Sequence, residues 1–108
     1  MKTIVVLGAG ESGVGAALLA ADRGFAVFVS DRGSIASKYK NILDKAGISY
    51  EEGEHTKEKI LAADLIVKSP GIPDTVPLIQ EVIDKGIKIW SEIEFASRYT
   101  EACLIGIT

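Results

Sequence analysis

With 108 residues, 47% of them hydrophobic, the chain holds enough apolar material for one packed domain and too much for a disordered one. Its 15 acidic and 12 basic side chains leave a net charge of −3, which argues against a nucleic acid held by phosphate neutralisation. No apolar run approaches the roughly 20 residues needed to span a bilayer, and the single cysteine, Cys103, excludes an internal disulfide and reads as a small buried hydrophobe.

Met1 and Lys2 run straight into a strand-like segment without a cleavable signal, so the expectation is a cytoplasmic domain with no membrane partner. Thr3 to Leu7 is a β-branched run ending at glycine, the pattern of a buried strand. Ser12 to Arg23 follows as an alanine-rich helix with Ala17, Leu18 and Ala21 on its inner face, stopped by Gly24. Phe25 to Ser30 is a second strand. Ile35, Tyr39, Ile42, Leu43 and Ala46 keep helical spacing up to Gly47. Ile48 to Glu51 makes a short third strand, Thr56 to Ala62 a short helix and Asp64 to Lys68 a fourth strand. Val76, Ile79, Val82 and Ile83 line the inner face of a helix ending at Gly86, and Ile87 to Trp90 is a fifth strand. Alternation of strand and helix predicts right-handed crossovers: an α/β fold, a Rossmann-like doubly wound parallel sheet of five strands with helices on both faces. The strand order expected is 3-2-1-4-5, with a crevice between strands one and four outside their C-terminal ends.

The strongest local signal is Gly8-Ala9-Gly10-Glu11-Ser12-Gly13, a G-x-G-x-x-G between a strand and a helix. Gly8 permits the tight turn, Gly10 lets a phosphate approach the backbone and is expected at positive φ, and Gly13 lets helix and sheet pack closely. The helix N-terminus offers free N–H groups and a partial positive charge to a pyrophosphate. Ser12 can donate its hydroxyl to that phosphate or cap the helix. Glu11 points to solvent or towards a sugar hydroxyl. Asp31, closing strand two, stands where dinucleotide-binding domains place the acid that takes ribose hydroxyls, and Arg32 can serve a further phosphate; the alternative for both is an ordinary polar turn. Ser69-Pro70-Gly71-Ile72-Pro73 follows strand four and faces the glycine loop across the crevice, although Pro-Gly after a strand is often only a turn. Ser91-Glu92-Ile93-Glu94 reads as a capping box rather than a catalytic carboxylate pair. His55, alone in a polar run, reads as part of a solvated turn. No catalytic residue and no metal-ligand set is expected in this chain.

The ordered set of GAGESG, Val29-Ser30-Asp31, Ser69-Pro70-Gly71-Ile72-Pro73 and Ser91-Glu92-Ile93-Glu94 resembles the N-terminal domain of the Mur ligases, over essentially the whole chain. Within that family the E-I-E run resembles the member that adds D-glutamate. The resemblance implies a three-domain cytoplasmic enzyme of cell-wall synthesis that uses ATP and Mg²⁺ to activate the carboxylate of UDP-N-acetylmuramoyl-L-alanine. It implies that the N-terminal domain holds the UDP end. Carried over by position, Gly10, Glu11 and Ser12 line the uracil and pyrophosphate region, Asp31 and Arg32 the uracil end, and Ser69, Pro70 and Gly71 the ribose and phosphates. Some family members carry a basic residue two places after the strand-two acid; here that place is Gly33 and the arginine is Arg32. The resemblance also divides the chain into a UDP-sugar-binding domain, 1–100, and the first strand of a central ATPase domain, 101–108. The family's glycine-rich P-loop would follow Thr108, so ATP and Mg²⁺ would be held by central and C-terminal domains and this piece would be inactive alone. An orphan strand at 102–108 is expected to add to a sheet edge or to self-associate. Two other functions share the glycine fingerprint: the nicotinamide-binding domain of an oxidoreductase and a non-catalytic nucleotide-sensing module.

Overall fold

The computed structural model describes residues 2–69, 72 and 76–99. Cys103 and the expected strand at 102–108 lie outside these residues, as do Pro70 and Gly71. The elements in chain order are β1 (Thr3–Leu7), α1 (Glu11–Asp22), β2 (Ala26–Asp31), α2 (Ser37–Lys45), β3 (Ser49–Glu52), α3 (Lys57–Leu61), β4 (Leu65–Lys68), α4 (Pro77–Asp84), β5 (Lys88–Ser91) and α5 (Glu92–Tyr99). Every strand pairing is parallel, and the sheet order is β3-β2-β1-β4-β5, the order expected.

The side-chain alternation of β1 divides the core in two. Ile4 and Val6 face α1, α2 and α5, in one cluster with Val14, Ala17, Leu43 and Phe95. Val5 and Leu7 face α3 and α4, packed with Ile60, Ile79 and Val82. A central parallel strand is apolar on both faces because a helix layer covers each, which is why Thr3–Leu7 reads as a continuous apolar run. Phe95, fully buried, fixes α5 on the α1 side of the sheet.

One helix face differs from expectation. Leu18 is 37% exposed, and α1 meets the sheet through Gly13, Val14, Ala16, Ala17 and Ala20. Small side chains let the helix axis come close to the strands, and the larger leucine is turned outward. Ile42 and Ile83 are likewise exposed, while Leu43, Ile79 and Val82 carry the packing of α2 and α4.

Candidate functional site

The polypeptide reverses strand order between β1 and β4, so the loops leaving their C-terminal ends diverge to opposite faces and leave a crevice between them. The glycine loop is pinned on its inner side. Gly8 donates its N–H to the carbonyl of Ser30 at 2.9 Å, and Ala9 donates to Asp31 Oδ2 at 2.8 Å. Gly8 has φ of +101°, and a Cβ there would stand 3.0 Å from Ser69 Cβ, so both conformation and space demand glycine. At Gly13 a Cβ would fall 1.9 Å from the carbonyl oxygen of Gly8, which shows how tightly α1 presses on the loop. Gly10 differs on both counts. Its φ is −80°, not positive as expected, and nothing lies within 4 Å of a Cβ built on it. The need for glycine at this position is therefore not conformational; the space over it is open.

Gly10 also caps α1, with no side-chain cap bond. Ser12 thus lies in the first helical turn and is not the N-cap, and its hydroxyl is exposed along with Glu11. The first intrahelical bond runs from Val14 N–H to the Gly10 carbonyl at 2.9 Å. The N–H groups of Glu11, Ser12 and Gly13 precede it, and with the positive end of the helix dipole they form a donor surface suited to an anion.

A cavity of about 280 Å³ opens beside this loop, lined by Gly8, Asp31, Arg32, His55, Ser69, Ile72 and Val76. A second, of about 390 Å³, adjoins it through Arg32, His55 and Val76 and continues to Pro77 and Leu78. Together they form a trough across the C-terminal ends of β1, β2 and β4. A space of about 550 Å³ runs along β5 between Lys68, Ile83 and Lys88. It lacks the convergent backbone donors of the glycine loop, so the trough is the better ligand site.

Of the residues expected to bind, Asp31, Arg32 and Ser69 are brought together on the trough beside Gly8. Asp31 has a second duty. While its Oδ2 holds Ala9, its Oδ1 accepts the N–H of Gly33 at 2.8 Å, so one carboxylate clamps both the glycine loop and its own turn. Arg32 is exposed and borders both cavities. The loop after β4 is tied back by Lys68, whose ammonium donates to the carbonyls of Ile72 and Ser69. Pro70 and Gly71 lie outside the described residues. Ser91 caps α5 as expected, accepting the Glu94 N–H at 3.0 Å, while Glu94 pairs with Arg98 at 3.4 Å.

His55 is the residue that sequence reasoning missed. It does not lie in a solvated turn: it is half-buried, lines both cavities, and its Nδ1 sits 2.6 Å from the Oγ of fully buried Ser30. Ser30 Oγ also donates to Glu51 Oε2 at 2.8 Å. Glu51 in turn accepts the Thr56 N–H at 2.7 Å and the Thr56 hydroxyl. Burial pushes the Glu51 carboxyl up, but hydrogen bonds from Thr56 and Ser30 outweigh it and hold the group below its ordinary value. Burial pushes His55 below its ordinary value, against the pull of Glu51 and Asp31 and with the help of Arg32. Position carried the only available signal: His55 follows β3, whose C-terminal end opens on the same edge of the sheet as the glycine loop.

Comparison with known proteins identifies the fold's lineage. The family model described as Mur ligase MurD-like, N-terminal domain, matches residues 2–91. The UDP-N-acetylmuramoylalanine–D-glutamate ligase of Bacteroides fragilis is 61% identical over 108 residues, covering 100% of this chain and 24% of that protein. The ligase of the same name from Porphyromonas gingivalis is 63% identical over 105 residues, covering 97% of this chain and 23% of that protein. Among solved structures, a murein peptide ligase from Psychrobacter arcticus superposes with a TM-score of 0.80 at 29% identity, covering 91% of this chain and 20% of that one. The chain thus spans about a quarter of the length of the curated relatives it matches. Its sheet order, its glycine loop and the match over residues 2–91 converge on one conclusion: the chain belongs to the MurD-like N-terminal domain family of the Mur ligases.

Proposed function

We propose that this domain holds the UDP end of UDP-N-acetylmuramoyl-L-alanine for a cytoplasmic, ATP-dependent ligase that joins D-glutamate to it in peptidoglycan synthesis. The reaction is the one for which its relatives are named, and this chain covers about a quarter of their length. The observation that supports the binding role is the open face of the glycine loop. Space lies over Gly10, N–H groups face it from the start of α1, and the trough past Ser69 and Arg32 leads away from it. A pyrophosphate fits the first part chemically and a nucleoside the second. Glu11 and Ser12 flank the phosphates, Asp31 and Arg32 the nucleoside end and Ser69 the opposite wall; Pro70 and Gly71, next in sequence, are assigned to the ribose and phosphates by family position alone.

ATP and Mg²⁺ find no fitting site among the described residues. The sequence has no glycine-rich loop ending in Lys-Ser or Lys-Thr, and among the described residues no group of three His, Cys, Asp or Glu side chains could hold a metal. The acyl-phosphate chemistry of the proposed ligase therefore belongs to the central and C-terminal domains of a longer protein, and the isolated chain is expected to bind without turnover. No helix among the described residues is long and apolar enough to cross a membrane.

Calorimetric titration of the chain with UDP, the UDP-sugar, NAD and NADP tests the reading. UDP and the UDP-sugar should bind, weakly, and more tightly than either dinucleotide. Tighter binding of NAD would replace the ligase reading with a nicotinamide site.

A further inference from the structure

The cluster under the trough assigns a hydrogen-bonding sense to His55. Ser30 Oγ lies 2.8 Å from Glu51 Oε2 and 2.6 Å from His55 Nδ1, and a serine hydroxyl has a single proton to give. Glu51 is held ionised by the donors around it and can only accept. If Ser30 gave its proton to His55, two bare oxygens would face each other at 2.8 Å in a partly buried site, with no donor between them. The carbonyl of Glu54, at 3.4 Å, is a distant third acceptor for the same proton. Ser30 therefore donates to Glu51, and its lone pair receives a proton from His55. That places the hydrogen of the neutral imidazole on Nδ1 and leaves Nε2 bare. Nδ1 faces a fully buried serine, so the far edge of the ring, which carries Nε2, is the edge that borders the trough.

We propose that His55 is a ligand-contacting residue of the trough, locked by Ser30 and Glu51 as the Nδ1–H tautomer, so that Nε2 accepts a hydrogen bond from a donor on the bound nucleoside. The inference rests on the nucleotide reading above and adds a specificity element to it. Asp31 and Glu54, which line the same trough, also offer acceptor oxygens, so it favours ligands rich in N–H and O–H donors. A uridine brings two kinds: the imide N3–H of the base and the ribose hydroxyls. Cytosine has an acceptor at that ring nitrogen and would meet Nε2 lone pair to lone pair.

His55 is the sole histidine of the sequence, so ¹⁵N imidazole spectra of the untagged chain report on it alone. The free protein should show a protonated Nδ1 and a bare Nε2 at neutral pH. Ser30→Ala, which touches no ligand, should shift the ring towards a mixture of tautomers while the rest of the spectrum stays folded. A bare Nδ1 in the parent, or no change in Ser30→Ala, overturns the clamp without reference to any ligand. The contact is read by titrating UDP, 2′-deoxy-UDP and N3-methyl-UDP into the parent and into His55→Phe, which keeps the ring's shape without its acceptor. One neutral hydrogen bond corresponds to about three- to tenfold in affinity. The parent should lose that factor with N3-methyl-UDP if the imide is the donor, or with 2′-deoxy-UDP if the ribose is. His55→Phe should lose it on UDP itself and cease to discriminate against that analogue. If the penalties are the same in both proteins, they are steric and the contact is refuted. If UDP does not bind the folded parent, the nucleotide reading falls and takes this role with it, while the tautomer result stands separately.

Discussion

Gly10 and Gly13 belong to one motif but have opposite surroundings, and substitution should separate their roles. Alanine at Gly13 would drive its Cβ to 1.9 Å from a backbone oxygen, a clash no side-chain rotation relieves. Overpacking of that kind costs about 1–3 kcal/mol or more. Gly13→Ala should therefore lower the urea midpoint markedly. Gly10 has an ordinary φ of −80° and open space, so Gly10→Val should stay folded yet lose UDP, because its methyl groups stand where the phosphate would lie. A folded Gly10→Val that binds UDP like the parent would remove the phosphate site from this loop. The packing role of Gly13 could be read from sequence because a glycine's meaning is set by the strand before it and the helix after it, whereas the positive φ expected at Gly10 is not found. His55 could not be read that way. Its partner Ser30 is 25 residues away on β2, and a polar run alone says nothing about which buried hydroxyl it will meet. Asp31 stands between these cases: its place after β2 was legible, but its hold on Ala9, 22 residues earlier, appears only once β1 and β2 lie side by side.

At the scale of elements, all five strands and the first four helices stand where hydrophobic periodicity and glycine stops place them, with ends shifted by a residue or two, while α5 was marked only by the capping box at its start. The inner faces of α1, α2 and α4 were less legible, since Leu18, Ile42 and Ile83 obey the period yet point outward. A sheet only a few strands wide cannot cover the whole apolar stripe of every helix. α5 contains the element-level prediction. Glu92, its first residue, is 8% exposed and its Oε2 would lie 3.1 Å from a Cβ on Gly13. Two effects oppose each other here. A carboxylate at a helix N-terminus gains about 0.3–1 kcal/mol from the dipole, whereas burial penalises its charge, and burial prevails: the carboxyl is pushed above its ordinary value. A raised folded pKa means that the folded chain holds this proton more tightly than the unfolded one. The stabilisation is complete below the unfolded value of 4.5 and is lost as pH rises through the folded value. Glu92→Gln, which cannot ionise, should thus melt higher than the parent at neutral pH, and the advantage should shrink as pH falls towards 4.5. Thermal melts across that range check it. A glutamine variant less stable than the parent at neutral pH would mean that the charge is satisfied by the start of α1.

For the whole molecule, the alternation of elements left few topologies open, and the order β3-β2-β1-β4-β5 followed from right-handed crossovers with the glycine loop at the centre. That topology sets an unusual electrostatic problem, because an acidic chain of net charge −3 is asked to hold a pyrophosphate. The lysines near the trough are largely committed: Lys57 pairs with Glu81 at 3.0 Å, Lys40 with Glu52, and Lys59 lies over the Phe28 ring at 4.6 Å. The attraction must then come chiefly from backbone N–H groups and the α1 dipole, which act within one helical turn, with Arg32 the neighbouring cation. The net charge acts over longer distances and repels the ligand. Salt weakens the long-range repulsion more than the short contacts, since the Debye length falls from roughly 14 Å near 50 mM to roughly 6 Å near 300 mM. A site built from many lysine–phosphate pairs loses orders of magnitude in affinity over a comparable rise in salt. Here the dissociation constant of UDP should change by less than about threefold, because relief of repulsion offsets screening of the dipole and of Arg32. Titrations in a chloride series at fixed pH measure this directly. A tenfold or greater loss would show that side-chain cations, rather than the glycine loop's backbone donors, hold the phosphates.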